Sequence, residues 1–503
     1  MLDQIFSGVF TWTLIAILAG WYCYATNQRP IFPVVNHYWG DLFRRKAYRE
    51  YNQNAKRLIV QGLAQHGSPI TLRTPDGLKI VLPSGLGDWV KTNRDLDHHE
   101  LIREEYFAGF PGFEAQDTLH APDKMLINLL RTKLSQNEEI IPTVNSHIGP
   151  ALQDYWGDSG SWSPIDWEND TMGVISRAAA SIFVGPEKAA DAEWQKVVQA
   201  YVREYFAAVR ELHAWHAPLR RVAQWFLPHA SACRELLGQA RAIIQQVVQK
   251  REQEARAAER QGLAAPQYND VLAWTTQVPG NKHPAGDLQL ALAMAALFTT
   301  TELFRQILID IAKHPELVEP LRKEIQESLS EQGLGLAALA KMELLDSVMK
   351  ESQRQIPVTV GLERKVIRDT SLPGGTRLPK GSHIAVDSTN MWDPEVHEDP
   401  EAFDGYRFLK RRRAGDNASQ FVQSSREHIV FGGGRHICPG RFFAATELKL
   451  CFAHILFKYD LRLKEGHDTQ PMAVGVYGIV DPMAQLEVRR REETEDFVLL
   501  TGA

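Results

Sequence analysis

The segment Phe431-Gly432-Gly433-Gly434-Arg435-His436-Ile437-Cys438-Pro439-Gly440-Arg441 gathers the residue types most able to do chemistry in this chain. Three consecutive glycines let backbone approach something flat and bulky. Cys438 offers one thiolate, and Pro439 and Gly440 shape the turn into a following helix. A thiolate at a helix N-terminus is stabilised by amide donors and the helix dipole, which suits a ligand to iron. A lone cysteine in a Gly-rich turn is ordinarily a small buried residue, so Cys438 gains meaning only with its neighbours. Upstream, Glu351 and Arg354 share a helix face, a pairing that on a surface contributes under ~1 kcal/mol. Other motif-like strings carry no chemistry. Gly157-Asp158-Ser159-Gly160 lacks the all-β surroundings of a serine-protease loop, and Gly333-Leu334-Gly335 reads as a helix-ending turn. The 17 histidines never form H-E-x-x-H.

The elements that must position these residues are mostly helical. Residues 190–260 read as long helices, and Asp287 is expected to cap a helix over Leu288–Ile311 that ends at His314-Pro315. Such a helix is about 36 Å long, and its uncharged first half predicts burial through the middle of the protein. Further helices are expected from Pro315 to Glu331 and from Met342 to Ile356. Short strands follow, punctuated at Pro373-Gly374-Gly375 and Pro379-Lys380-Gly381. The expected fold is therefore mainly α with small β-sheets toward the end. No linker divides the 503 residues, so one large unit, residues 29–503, is expected.

Composition removes several classes of function. With 56 Lys+Arg against 62 Asp+Glu the formal charge is -6, which argues against nucleic acid as a partner. A chain 44% hydrophobic and 23% charged is neither disordered nor a many-span membrane protein. Four cysteines without C-x-x-C spacing exclude a disulfide scaffold and point to a reducing compartment. Residues 4–28 carry no charge and are long enough to span a bilayer. Asp3 precedes them, and Arg29, Arg44, Arg45 and Lys46 follow. An N-terminal transmembrane anchor over residues 1–28 is expected, with the bulk of the chain cytosolic.

The cysteine segment resembles the haem-binding loop of the cytochrome P-450 superfamily in its fungal spelling. Phe431, Gly434, Cys438 and Gly440 match the family pattern, and His436 stands where many members have arginine. Glu351 and Arg354 match the E-x-x-R element, and Arg407, in Phe403-Asp404-Gly405-Tyr406-Arg407-Phe408, matches the arginine that completes a buried Glu-Arg-Arg network. Ala295-Ala296-Leu297-Phe298-Thr299-Thr300 occupies the oxygen-activating register of the central helix.

The resemblance implies a prism-shaped haem domain of the cytochrome P-450 fold, with haem b held by Cys438 as axial ligand to the iron. Phe431 would pack near the sulfur, and His436 or Arg435 would bind a propionate. His120 and Lys124 resemble a pair that reaches the propionates from an earlier helix. Thr299 falls on the oxygen-gripping threonine, beside Ala295 and Ala296, which are small enough to leave a groove. Phe298 departs from the family, because an acid or histidine is expected there. Glu302 is a candidate replacement acid. The substrate pocket would be lined by Ala295, Phe298, Val358 to Gly361 and Gly475 to Ile479.

The implied activity is a membrane-bound monooxygenase that inserts oxygen from O2 into a lipophilic secondary metabolite, with a terpenoid or indole-derived scaffold favoured. Electrons would come from an NADPH-cytochrome reductase at the endoplasmic reticulum membrane, because the chain has no flavin or pyridine-nucleotide motif. Arg411, Arg412, Arg413, Arg441 and Lys449 are candidates for docking that reductase. Phe298 leaves an alternative open: a haem-thiolate isomerase or dehydratase acting without O2.

Overall fold

The computed structural model describes residues 12–13, 20, 30–41, 43–135 and 137–492. The expected anchor thus lies almost entirely outside the described residues.

The molecule is organised around a central helix, Ala285–Lys313. It is buried along most of its length against the helices Asn169–Phe183, Ala192–Ala214 and Pro228–Arg260. It has the length and apolarity of a membrane span, yet 67% of that window is buried inside the protein, as befits a core helix. Asp287 does not cap it. The helix starts at Ala285 after Pro284, and the Asp287 carboxylate instead receives Arg241 of the neighbouring helix through Nε (2.6 Å) and Nη2 (2.8 Å). A carboxylate fixed across a helix pair cannot fold back onto its own amides. The helices Val318–Gln332 and Glu343–Gln355 lie where expected, the first ended by Gly333 at φ +68°.

The sheets correct the sequence reading. The largest joins β1 (Ile70–Thr74), β2 (Gly77–Leu82), β3 (Leu96–Asp97), β4 (Val360–Val366) and β5 (His383–Asp387) in the order β1-β2-β5-β4-β3. Three of its strands precede residue 100, where no strand was expected. β1 and β2 form a hairpin around Pro75-Asp76, closed by Gly77 at φ +133°. β2 then pairs in parallel with β5, so the sheet is completed only by chain some 300 residues away. Near the C-terminus a hairpin pairs Met472–Val474 with Tyr477–Ile479, and a three-stranded sheet joins Ser163–Pro164, Leu486–Arg490 and Tyr459–Leu463.

Candidate active site

The conformation of the cysteine loop comes from its glycines. Gly432 and Gly434 adopt φ +73° and +62°, and a Cβ on Gly434 would stand 2.3 Å from the Lys91 carbonyl oxygen. The loop folds back so that the Cys438 amide donates to the Phe431 carbonyl (2.8 Å) and the Ile437 amide to that of Gly434 (3.2 Å). Phe431 packs edge-on against Phe421. Cys438 precedes the helix Arg441–Lys458. Burial pushes its thiol pKa up, while hydrogen bonds from the Gly440 and Arg441 amides and the Arg441 charge act in the opposite sense.

Beside this loop lies a cluster of nitrogen donors. The His436 ring centroid is 5.0 Å from that of His99 and 6.2 Å from that of His98, and His99 Nδ1 is 2.7 Å from His120 Nδ1. Arg435 Nε donates to His436 Nε2 (2.8 Å), and Arg364, from β4, donates to the Gly433 carbonyl (3.3 Å). Burial, reinforced by the Arg364 charge, lowers His98 to about 4 and His436 to about 2, and burial holds His120 well below the usual range. The three rings are therefore neutral at pH 7. Arg364 is lowered to about 10 by burial and by Arg435, and stays cationic. Asp97 is 3.7 Å from both Arg435 and His436. Arg364 Nε and His436 Nδ1 are buried and have no hydrogen-bond partner among the described residues. Such a cationic, under-satisfied spot accommodates anionic oxygens.

A second charged layer braces the loop from behind. Arg354 donates to Glu351 through Nε (2.9 Å) and Nη2 (2.8 Å), and Arg407 Nε reaches Glu351 Oε1 at 3.0 Å. Glu351 and Arg354 are fully buried. The remaining guanidinium hydrogens go to backbone carbonyls of Met391, Pro400, Glu398 and Ala402. All three charges are thus hydrogen-bonded, the condition under which buried ion pairs are tolerated. Buried Lys350, adjacent in sequence to Glu351, donates to three carbonyls, Ala418, Gln420 and Gln423, ahead of the cysteine loop.

On the central helix one face is left open. Ala295, Phe298 and Thr299 are exposed in a helix otherwise buried on both sides of them, and Ala296 is partly buried. Phe298 packs on Phe206 with centroids 4.8 Å apart. Thr299 Oγ1 donates to its own i−4 carbonyl, Ala295 O, at 3.0 Å. Val358 is partly buried, just after Ile356-Pro357, against which Gly478 of the C-terminal hairpin is wedged.

Residues 113–488 match the family model described as "Cytochrome P450". The chain belongs to the cytochrome P450 family. The cytochrome P450 monooxygenase hepE of Aspergillus oryzae is 35% identical over 471 residues, which cover 92% of this chain and 86% of that relative. The cytochrome P450 monooxygenase adrA of Penicillium rubens is 34% identical over 90% of each chain. A solved structure of a cyanobacterial P450, CYP120A1 with retinoic acid bound, matches with a TM-score of 0.67 at 18% identity. It covers 92% of this chain and 100% of that one, which supports the fold. As a P450 monooxygenase this chain works with haem b, O2 and electrons from a redox partner. That leaves the oxygen-independent isomerase reading without support.

The residues present fit haem b. The thiol of Cys438 would be a ligand to its iron, and the buried, unpartnered nitrogens of Arg364 and His436 would be donors for its propionates. Sequence reasoning missed His98, His99 and Arg364. The two histidines are isolated letters 340 residues from the cysteine. Arg364 sits in the strand Val360–Val366 on the same alternating, buried face as Val360, Leu362 and Val366, so its burial could be read locally but its partners could not. His120 and Lys124 do not share a helix: His120 ends Glu114–Leu119, and Lys124, exposed and at φ +54°, precedes Met125–Leu129. His120 reaches the cluster through His99 and lies edge-on to His98, with centroids 6.5 Å apart. Glu302 is buried and engaged by Arg305 (2.8 Å) and by the Val480 amide (2.9 Å). Among the basic candidates for docking, Lys449 is buried on Asp346 (2.7 Å), and Arg412 pairs with Glu343 (3.2 Å). Arg413 is exposed.

Proposed function

We propose that this P450 is a membrane-anchored haem-thiolate monooxygenase in which Cys438 is the axial ligand and Arg364, Arg435 and His436 bind the propionates. Haem, when bound, supplies the oxygen-activating chemistry. Thr299 orients its hydroxyl beside the small residues Ala295 and Ala296 and hands protons from solvent toward the oxygen-binding face. Phe298, an apolar ring that can neither donate nor accept, caps the pocket with Phe206 and excludes water. The substrate is a lipophilic secondary metabolite, a terpenoid or an indole-derived compound, held against Ala295, Phe298, Val358 and the C-terminal hairpin. The observation that carries this reading is the pair of buried, unpartnered donors, Arg364 Nε and His436 Nδ1, beside the cysteine loop.

Residues 1–28 form the transmembrane anchor, residues 29–503 the catalytic domain, and an NADPH-cytochrome reductase of the endoplasmic reticulum membrane supplies the electrons. An apolar surface supports the membrane location. Trp39 and Phe43 are exposed, as are Trp215, Val222, Trp225 and Phe226. Both segments are tied to the β1–β2 hairpin: the Arg73 amide donates to Asn36 Oδ1 (2.8 Å), and His213 Nδ1 lies 2.7 Å from Asp76. The test is the carbon monoxide spectrum of the reduced protein. The full-length chain should give the strongly red-shifted Soret band of a thiolate-bound haem, and Cys438→Ala should lose it. A band retained in Cys438→Ala would refute the assignment.

A further inference from the structure

We propose that Glu302 is a positioning residue that clamps the C-terminal hairpin to the central helix and thereby sets the depth of the substrate pocket. The inference rests on the monooxygenase reading of the site. Glu302 stands three residues beyond Thr299, and both carboxylate oxygens are engaged: Oε1 by Arg305 Nη1 (2.8 Å) and Oε2 by the Val480 amide (2.9 Å). Arg305 is itself held, donating through Nε to Thr171 Oγ1 (2.8 Å) and through Nη2 to the Glu168 carbonyl (2.9 Å). The residue after Val480 is held as well, because Trp167 Nε1, beside Arg305, donates to the Asp481 carbonyl (3.0 Å). At the hairpin's other end, Lys313 donates to the Thr469 carbonyl (2.7 Å). Segment 469–481 is therefore tied to the central helix before and after its strands.

Between those ties the hairpin approaches the pocket wall closely. A Cβ on Gly478 would lie 2.7 Å from Pro357 N, and a Cβ on Gly475 would lie 2.5 Å from the Tyr51 ring. The Thr359 amide donates to the Val476 carbonyl at 3.0 Å. With no slack at the tip, the Val480 tie decides how far the strand Tyr477–Ile479 stands from Val358 and from the open face at Phe298 and Thr299. A carboxylate already engaged by a guanidinium and an amide is not the replacement acid for proton delivery.

The experiment compares Glu302→Gln, Glu302→Ala and Trp167→Phe with wild type, using haem-loaded full-length protein. Imidazole, which is small, and clotrimazole, which fills the pocket, are titrated spectrally. Hydrogen exchange is read on peptides spanning residues 476–485. In Glu302→Ala the Val480 amide loses its buried acceptor, so clotrimazole affinity should fall about tenfold and exchange should accelerate by a similar factor, with imidazole affinity unchanged. Glu302→Gln keeps an acceptor oxygen and should recover to within about threefold of wild type. Trp167→Phe should shift both readouts in the same direction as Glu302→Ala. Wild-type clotrimazole affinity and exchange in Glu302→Ala would overturn the clamp. So would a Glu302→Gln protein that exchanges like wild type yet leaks peroxide as badly as Glu302→Ala, the mark of a proton-relay acid. Absence of the red-shifted carbon monoxide band in wild type would sink the haem-thiolate reading instead, and the exchange rates would still decide the clamp.

Discussion

Around the candidate active site, the side that carries the cysteine loop is braced by buried charge, whereas the opposite wall is built mainly from apolar contacts. Behind the loop, Glu351, Arg354 and Arg407 bury full charges and satisfy them with carboxylate and backbone oxygens, and buried Lys350 donates to backbone carbonyls. Across from it, Phe298 leans on Phe206, Gly478 abuts Pro357, and Glu302 is the local exception. Charge networks have one good geometry and lose heavily when a partner goes, while apolar walls tolerate exchange of shape. The first architecture suits a rigidly held cofactor, and the second an apolar substrate pocket.

Substitutions should separate the two sides sharply. Glu351→Gln leaves two buried guanidiniums without their counter-charge, a loss of about 3–5 kcal/mol, and should yield little haem-loaded protein. Absorbance of the purified protein relative to wild type checks this, and normal haem content would break the contrast.

On the same side, Arg364→Ala removes a buried donor and should weaken haem retention. Removing a charged donor costs about 1.5–3 kcal/mol, so haem transfer to apomyoglobin should quicken by roughly tenfold or more. An unchanged transfer rate would mean Arg364 does not hold a propionate.

Glu447, in the helix that follows Cys438, sharpens the comparison through pH. Burial without any partner among the described residues pushes its carboxyl up to about 8 from 4.5. A folded-state pKa raised in this way contributes stability below pH 4.5 that is lost as pH climbs toward 8. Glu447→Gln cannot ionise, so it should match wild type at pH 5 and melt about 1–3 °C higher at pH 8. Equal melting temperatures at both pH values would show that the carboxylate finds a partner.

The smallest stability effect is expected on the apolar wall. Phe298→Ala loses an aromatic pair worth about 0.5–1.5 kcal/mol and should barely move the melting temperature, yet it should change the spread of oxidised products. Thr299→Ala should likewise leave stability unchanged and raise peroxide released per NADPH. If Phe298→Ala destabilised the protein as much as Glu351→Gln, the two walls would not differ in kind.

How much of this was legible follows the same division. The cysteine loop, the Glu351-Arg354 spacing, the buried central helix and the Gly333 turn could be read because each is local: contiguous residues, one helical face, one breaker. The β1–β2 hairpin was also local, with Pro75-Asp76-Gly77 between alternating residues, and was overlooked. The sequence by itself determined a thiol in a glycine turn at a helix start, a long apolar helix that had to be buried, and Phe298 where a polar residue was expected. Only the tertiary structure decided that His98, His99 and Arg364 join His436, that Lys449 is buried, and that Glu302 holds Val480. These pairings span from about 70 to 340 residues of chain, and no local periodicity encodes which distant groups share a buried, low-dielectric site. Their partners are selected by packing, which places an unsatisfied donor beside the acceptor that best relieves the cost of burying both.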